Sequence, residues 1–338
     1  MSDVVSLTLA RGQVPVPVAP RLFLHEEWTR EPARLRRASV PPVAQAYRTK
    51  GAIALAELDR VRAAGVTLGT VLADGGYGVS AEFRHALTAR GLTWAVGTLR
   101  IQQVFPPHVR LRTPRPRLNG GRPRRHAVPS HVSRPAEEVL VTARWRSVSC
   151  RTGTRGPLRA KFASARVHVA DGTRAAKGQH LPGALAWLVG EWRTGGERKC
   201  YLTNHAAGTP LGTLAAAIKA RWVCEQARQQ LKKKLGLDHC EVRSWLGLHH
   251  HALFTMLAFT FLQDQRFRTT RGKKTAGAGR HHPSRRSPRS VARASSPCAR
   301  GPAALPRVRR AHPVSPVAVK NVAKSRRTAR GRTGTHTS

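Results

Sequence analysis

Acidic residues are scarce in this chain: 17 Asp and Glu stand against 60 Lys and Arg in 338 residues, a formal charge of +43. That excess works against basic partners and draws the chain to polyanions. DNA and RNA are the commonest of these, because each neutralised phosphate releases a counterion. Aromatic residues make up only 5%, low for an ordinary soluble enzyme. No apolar run reaches the roughly 18 residues a membrane-spanning helix needs, and no apolar stretch near Met1 has signal-peptide flanks. These absences predict a cytoplasmic protein with no membrane partner. The cysteines (Cys150, Cys200, Cys224, Cys240, Cys298) are odd in number, scattered and never paired as CxxC. That excludes a disulfide framework and a zinc knuckle, leaving free thiols in a reducing compartment.

Hydrophobic residues, at 40%, suffice for a core. Composition breaks near residue 265: the stretch 265–338 carries 20 of the 60 Lys and Arg and none of the 17 acids. Its Arg, Ser, Pro, Ala, Gly and His offer no apolar face, so a disordered basic tail is expected. Two accounts of it stay open, a nucleic-acid-binding arm and an out-of-frame translation of GC-rich DNA.

Before the break, periodicity outlines the elements. Val4–Ala10 and Val14–Leu24 read as an antiparallel hairpin, with Pro15, Pro17 and Pro20 pushing the second strand to an edge. After a polar connection from His25 to Lys50, Gly51–Ala64 reads as a helix with Gly65 at its C-terminal cap. Val66–Ala73 reads as a buried strand ending at Asp74. Gly75-Gly76-Tyr77-Gly78 turns the chain, Ser80 caps a helix over Ala81–Arg90, and Leu92–Gly97 is another strand. Arg100–Pro135 is Pro- and Arg-rich and is expected to be a long loop. Strand-like stretches over Glu138–Val148, Lys161–Val169, Leu185–Trp192 and Lys199–Leu202 suggest a β-rich insertion. Thr209-Pro210 then opens a helix running to Leu235 before Gly236, with Thr209 as the expected cap. Trp245–Leu262 is a second helix.

Asp74 stands where open α/β sheets place functional groups, at the C-terminal end of a strand, although Asp before Gly-Gly is also a good turn residue. In the helix after Thr209, Ile218, Arg221, Glu225 and Lys232 follow at spacings of 3, 4 and 7, so they share one face. A solvated charge face would explain this. So would a carboxylate that holds a metal beside Trp222 and the Lys232-Lys233-Lys234 cluster, whose cations suit phosphates.

The segments "VLADGGYG" and "IKARWVCEQARQQLKKKLGLDHCEVRSWLGLHHHALFTMLAF" resemble the DDE transposases of bacterial insertion sequences that carry a Tyr-x2-Arg-x3-Glu-x6-Lys signature. Arg221, Glu225 and Lys232 match its spacing, while Ile218 replaces the tyrosine. The resemblance spans roughly Val4 to Gln263. It implies an α/β, RNase H-like mixed sheet flanked by helices, with a β-rich insertion. The expected division is a first core part over 1–99, loop and insertion over 100–203, a helical core end over 204–264, and the tail over 265–338. It implies Asp74 and Glu225 as catalytic and metal-binding acids, two Mg²⁺ ions in the family, and Arg221, Lys232, Trp222, Arg243 and Trp245 as DNA-binding candidates. The implied activity is DNA strand cleavage and transfer at insertion-sequence ends, with a homodimer as one family arrangement.

The resemblance also implies a first acid on a first strand. Only two strands precede Gly51, and Asp3 lies ahead of the first of them. Val4–Ala10 therefore resembles the family's second strand. The expectation is an N-terminally truncated, inactive fragment with impaired metal binding and exposed sheet edges. The alternative is a non-catalytic basic nucleic-acid-binding protein. Arg243 and Trp245 divide between DNA contact and anchoring two helices, and Tyr77 between substrate contact and packing. His239, Cys240 and His249-His250-His251 fit no zinc spacing. Glu241 lies beyond Gly236 and is not expected to bind metal.

Overall fold

A computed structural model describes residues 3–112, 127–153, 156–174, 180–193, 195–277 and 317–322. Strands β1 (Asp3–Arg11) and β2 (Val14–Phe23) form the hairpin that their β-branched runs predict, turning at Gly12, whose φ of 61° is left-handed. β2 is an edge strand, where proline costs least because a missing N–H faces no neighbour. The polar connection folds into α1 (Glu26–Thr29), α2 (Pro32–Arg37) and a 3-10 turn over Pro42–Ala44, anchored by buried Leu35 and Val40. Helix α3 (Lys50–Ala63) starts at Thr49, whose Oγ1 accepts from the Ala52 N–H at 3.1 Å. Its Ile53, Leu58 and Val61 are buried.

Next come β3 (Thr70–Ala73), the single turn α4 (Gly75–Gly78), α5 (Ala81–Ala89) and β4 (Thr93–Thr98), which lies parallel to β3. Ser80 caps α5 as expected, accepting from the Phe83 N–H at 3.2 Å. The expected loop contains short strands: β5 (Gln103–Phe105), β6 (Leu111–Arg112), β7 (Val128–Pro129) and β8 (Arg134–Pro135). Its centre, 113–126, lies outside the described residues.

The strand expected from Glu138 is corrected. Ala136–Val141 is a helix, α6, and the strand begins only at Arg146. Two acids in its first turn favour the helix dipole, and Ala136 and Leu140, four apart, are buried on one face. β9 (Arg146–Gly153), β10 (Gly156–Val169), β11 (Leu185–Trp192) and β12 (Arg198–Thr203) follow. Helix α7 (Leu211–Leu235) is capped by Pro210, not Thr209, and ends at Gly236 with φ 68°. Helix α8 (Trp245–Gly277) runs well past the expected end at Leu262.

Among the described residues one mixed sheet holds eleven strands, in the order β2-β1-β13-β3-β4-β12-β11-β10-β5-β8, with β9 paired to β10. The β-rich stretch is thus continuous with the core sheet, because β12 pairs antiparallel with β4. Helices α3 and α5 cover one face over Val5, Leu7, Val71 and Val96. On the other, α7 covers Leu72 and Ala95 with Leu214, Ala215 and Ile218. Ile218 is therefore a core residue. Helix α8 packs on α7 through Ala227, Leu231, Met256 and Phe259. A mixed sheet with helices on both faces fits the RNase H-like expectation.

The expectation of an unstructured stretch after residue 264 is corrected at two places. α8 continues to Gly277, and Val317–Val322 form β13 between β1 and β3. A six-residue strand with two neighbours needs no amphipathic pattern of its own. Residues 278–316 and 323–338 lie outside the described residues.

Candidate active site

Asp74 leaves β3 as the cap of the turn that follows, its Oδ1 accepting from the Gly76 N–H at 3.1 Å. The turn is pressed onto β4. A Cβ at Gly78 would lie 1.8 Å from the Gly97 carbonyl oxygen, so only glycine fits. From the other side the buried Arg84 donates to the Gly78 carbonyl and, at 2.5 Å, to Asp171 just beyond β10. Glycine packing and this buried ion pair together fix where Asp74 points. Tyr77 is buried in the turn, and burial, then the charges of Asp74 and Asp3, push its phenol pKa upward. It packs against Phe83, with ring centroids 5.4 Å apart. Asp3, expected ahead of the first strand, is instead the first residue of β1, opposite Phe23, because the hairpin ladder extends one residue further than the apolar run, and it is paired with Lys50 at 2.5 Å.

Glu225 projects from α7, a helix that lies across β1, β2, β3 and β4. Arg221, one turn earlier, binds it at 2.8 Å, as the spacing allows. Arg228, three residues after Glu225, is the residue that spacing alone passed over. Burial lowers its pKa, and the charges of Asp74 and then Glu225 oppose that effect. Its guanidinium therefore stands within electrostatic reach of both carboxylates. Its Nε is buried without a hydrogen-bond partner among the described residues. Arg228 and Lys232 also line a small cavity of about 90 Å³ over Val4, Ser6 and Thr8 of β1. Burial, then the nearby Arg228, lowers the Lys232 pKa. A signal for Arg228 was present: it lies three residues after Glu225 and four before Lys232, on the same helical face.

On its other side Glu225 lines a cleft of about 430 Å³ with Trp222, Lys219, Arg159, Arg193 and Glu191. Glu191 of β11 is only 1% exposed. It accepts from Lys219 at 2.6 Å and the Tyr201 hydroxyl at 2.8 Å, with Arg193 at 3.5 Å. Burial alone would raise its pKa. The hydrogen bonds from Lys219 and Tyr201, with the Lys219 and Arg193 charges, outweigh burial and hold it below the ordinary glutamate range.

The other candidates sit apart from the carboxylates. The Trp245 N–H donates to the Ala38 carbonyl at 2.7 Å, and its ring lines a cavity with Arg21, Ile53 and Glu57 that includes neither Asp74 nor Glu225. Arg243 and Glu241 are exposed. His249 bonds the Trp245 carbonyl within α8, and His251 bonds the Gly236 carbonyl, tying α8 to the end of α7.

Residues 2–157 match the family model described as DDE superfamily endonuclease, a span that includes Asp74 and ends before Glu225. No curated protein matches the chain. The family match supports a DDE transposase-like domain, suggests transposase-type nuclease chemistry and implies DNA as the substrate. Nucleases of that superfamily generally use divalent metals. The residues assembled here fit such a pair of ions poorly. The charges of Asp74 and Glu225 act on one half-buried guanidinium, Glu225 is bound by Arg221, and no group of three or more metal-ligating side chains occurs among the described residues. No helix among the described residues is long and apolar enough to cross a membrane.

Proposed function

We propose that this chain is the DNA-binding, catalytic-type domain of an insertion-sequence DDE transposase, with Asp74 and Glu225 as the second and third acids of its site, and that it binds DNA without efficient cleavage. The observation that carries this reading is Arg228. A guanidinium that feels both carboxylates already supplies the positive charge that a divalent ion would bring, and it opposes the entry of Mg²⁺. The resemblance puts the first acid on a strand beside β1. In this chain that place holds Val317–Val322, a segment without an acid. Arg221 and Lys232, with exposed Lys233 and Lys234 at the end of α7, Trp222 in the cleft and exposed Arg243, make up the DNA-facing set. Trp245 fits a helix anchor better.

The test combines binding and cleavage on a duplex carrying an insertion-sequence end. Binding should fall steeply with salt, as phosphate contacts require, and change no more than a few-fold in Asp74→Ala or Glu225→Ala. No strand cleavage should occur with Mg²⁺ or Mn²⁺. Mg²⁺-dependent cleavage that Asp74→Ala abolishes would overturn the proposal. The net charge of +43 favours a second reading, a basic nucleic-acid binder with no metal chemistry latent in it. Under that reading, removing the Arg228 charge gives the carboxylate pair no affinity for Mn²⁺.

A further inference from the structure

β1 and β3 are neighbours in the sheet only through a third strand. β13 runs antiparallel to β1 over six residue pairs, from Val4↔Val322 to Leu9↔Val317. It runs parallel to β3 over Val317↔Val71, Ala318↔Leu72 and Val319↔Ala73. The slot lies in the interior of the sheet, flanked by Val5, Leu7, Val71 and Leu72, none more than 2% exposed. Without an occupant, the hairpin β1–β2 and the pair β3–β4 would share no backbone hydrogen bond. Two rows of ladder donors and acceptors in the middle of the sheet would lack partners, which buried backbone does not tolerate.

The occupant comes from far along the chain. The numbered span 278–316 separates Gly277 from Val317 and is rich in Arg, Pro and Ser, and the stretch after the strand is rich in Arg and Thr. Within that setting Val-Ala-Val-Lys-Asn-Val is a compact β-branched run. Recognition through backbone ladders on two sides asks for little more than an extended, mostly apolar segment.

We propose that the channel between β1 and β3 is a strand-binding site, and that the chain fills it in cis with its own residues 317–322, so that the C-terminal region is a structural part of the domain. This inference rests on sheet topology and is independent of any catalytic role for Asp74. One consequence bears on the site: Lys320 follows Val319 as Asp74 follows Ala73, so the resident strand brings no acid to the level of Asp74.

The register supplies the experiment. Ser6 is partnered with Lys320, so the full-length Ser6→Cys/Lys320→Cys protein, carrying Cys298→Ser to remove one background thiol, is oxidised and run without reductant. The thiols of Cys150, Cys200, Cys224 and Cys240 are buried. A disulfide-closed monomer is expected, with at least tenfold less in the misregistered pair Ser6→Cys/Val322→Cys. Failure to cross-link, equal cross-linking of both pairs, or a disulfide-linked dimer placing a second copy's strand in the slot would each overturn the proposal. Amide hydrogen exchange on the unsubstituted full chain guards against a folding defect in the variants. Residues 317–322 should exchange at least a hundredfold more slowly than the same sequence as a free peptide, and free-peptide rates there would overturn it as well.

Discussion

Two charged clusters flank Glu225 on α7, and they differ in how their charges are paired. Around Glu191 one carboxylate receives Lys219, Tyr201 and Arg193 and is held ionised in the interior. Around Arg228 a half-buried guanidinium feels the charges of two carboxylates on different elements, and its Nε, like that of Arg193, has no hydrogen-bond partner among the described residues. The Glu191–Lys219 ion pair ties α7 to β11. The Arg228 cluster lies beside a turn that glycine alone can make, which makes it the candidate for ligand binding.

The contrast breaks most readily at Glu191. Glu191→Ala leaves the partly buried Lys219 ammonium without its counter-charge and should destabilise the fold by about 3 kcal/mol, read by chemical unfolding. Because Glu191 titrates below its ordinary value of 4.5 in the folded state, its contribution is present at neutral pH and lost as pH falls through that lowered value. Glu191→Gln should therefore flatten the acid limb of the stability curve, and an unchanged limb would remove the Glu191 cluster from the comparison. Gly78→Ala drives a methyl into the Gly97 carbonyl and should cost about 2 kcal/mol. A thermal melt unchanged from the parent would show that the Asp74 turn is softer than its packing indicates.

Arg228→Gln sharpens the difference directly. Removing the shared cation should raise the affinity for Mn²⁺ about tenfold, roughly 1.4 kcal/mol, by calorimetry, and Asp74→Asn in the same background should abolish the gain. A smaller effect calibrates both clusters. Asp59 and Arg90 form a two-point ion pair at 2.8 and 2.7 Å, with the Asp59 side chain 46% exposed. Asp59→Asn should change stability by only about 0.5 kcal/mol, and a loss above 2 kcal/mol would mean that exposed pairs here are worth as much as buried ones.

Legibility in the sequence followed locality. β11 falls on the expected Leu185–Trp192, and the cap at Ser80 and the left-handed Gly65 and Gly236 stand where expected. At Ser80, Gly65 and Gly236 the deciding interaction lies within a few residues, while β11 shows its apolar run locally and finds its partners β10 and β12 elsewhere in the chain. At Ala136–Val141 local signals conflicted, since a run of Val and Leu invites a strand while Glu137 and Glu138 open a helix, and burial of Ala136 and Leu140 decided for the helix. Asp74 and Glu225 were readable as candidates from strand-end position and helical spacing. Arg228's reach to both was not, because it depends on α7 crossing β3.

The amino-acid sequence by itself determined the basic character and the order of most elements, and it marked two carboxylates as candidates, because charge, periodicity and caps are properties of short stretches. Tertiary structure alone decided that the β-rich stretch extends the core sheet, that Arg228 lies within reach of both acids, and that Val317–Val322 join β1 to β3. Each of these pairs residues distant in the chain, and a strand's partner or a charge's neighbour is fixed by where the backbone goes after the local rules have been spent.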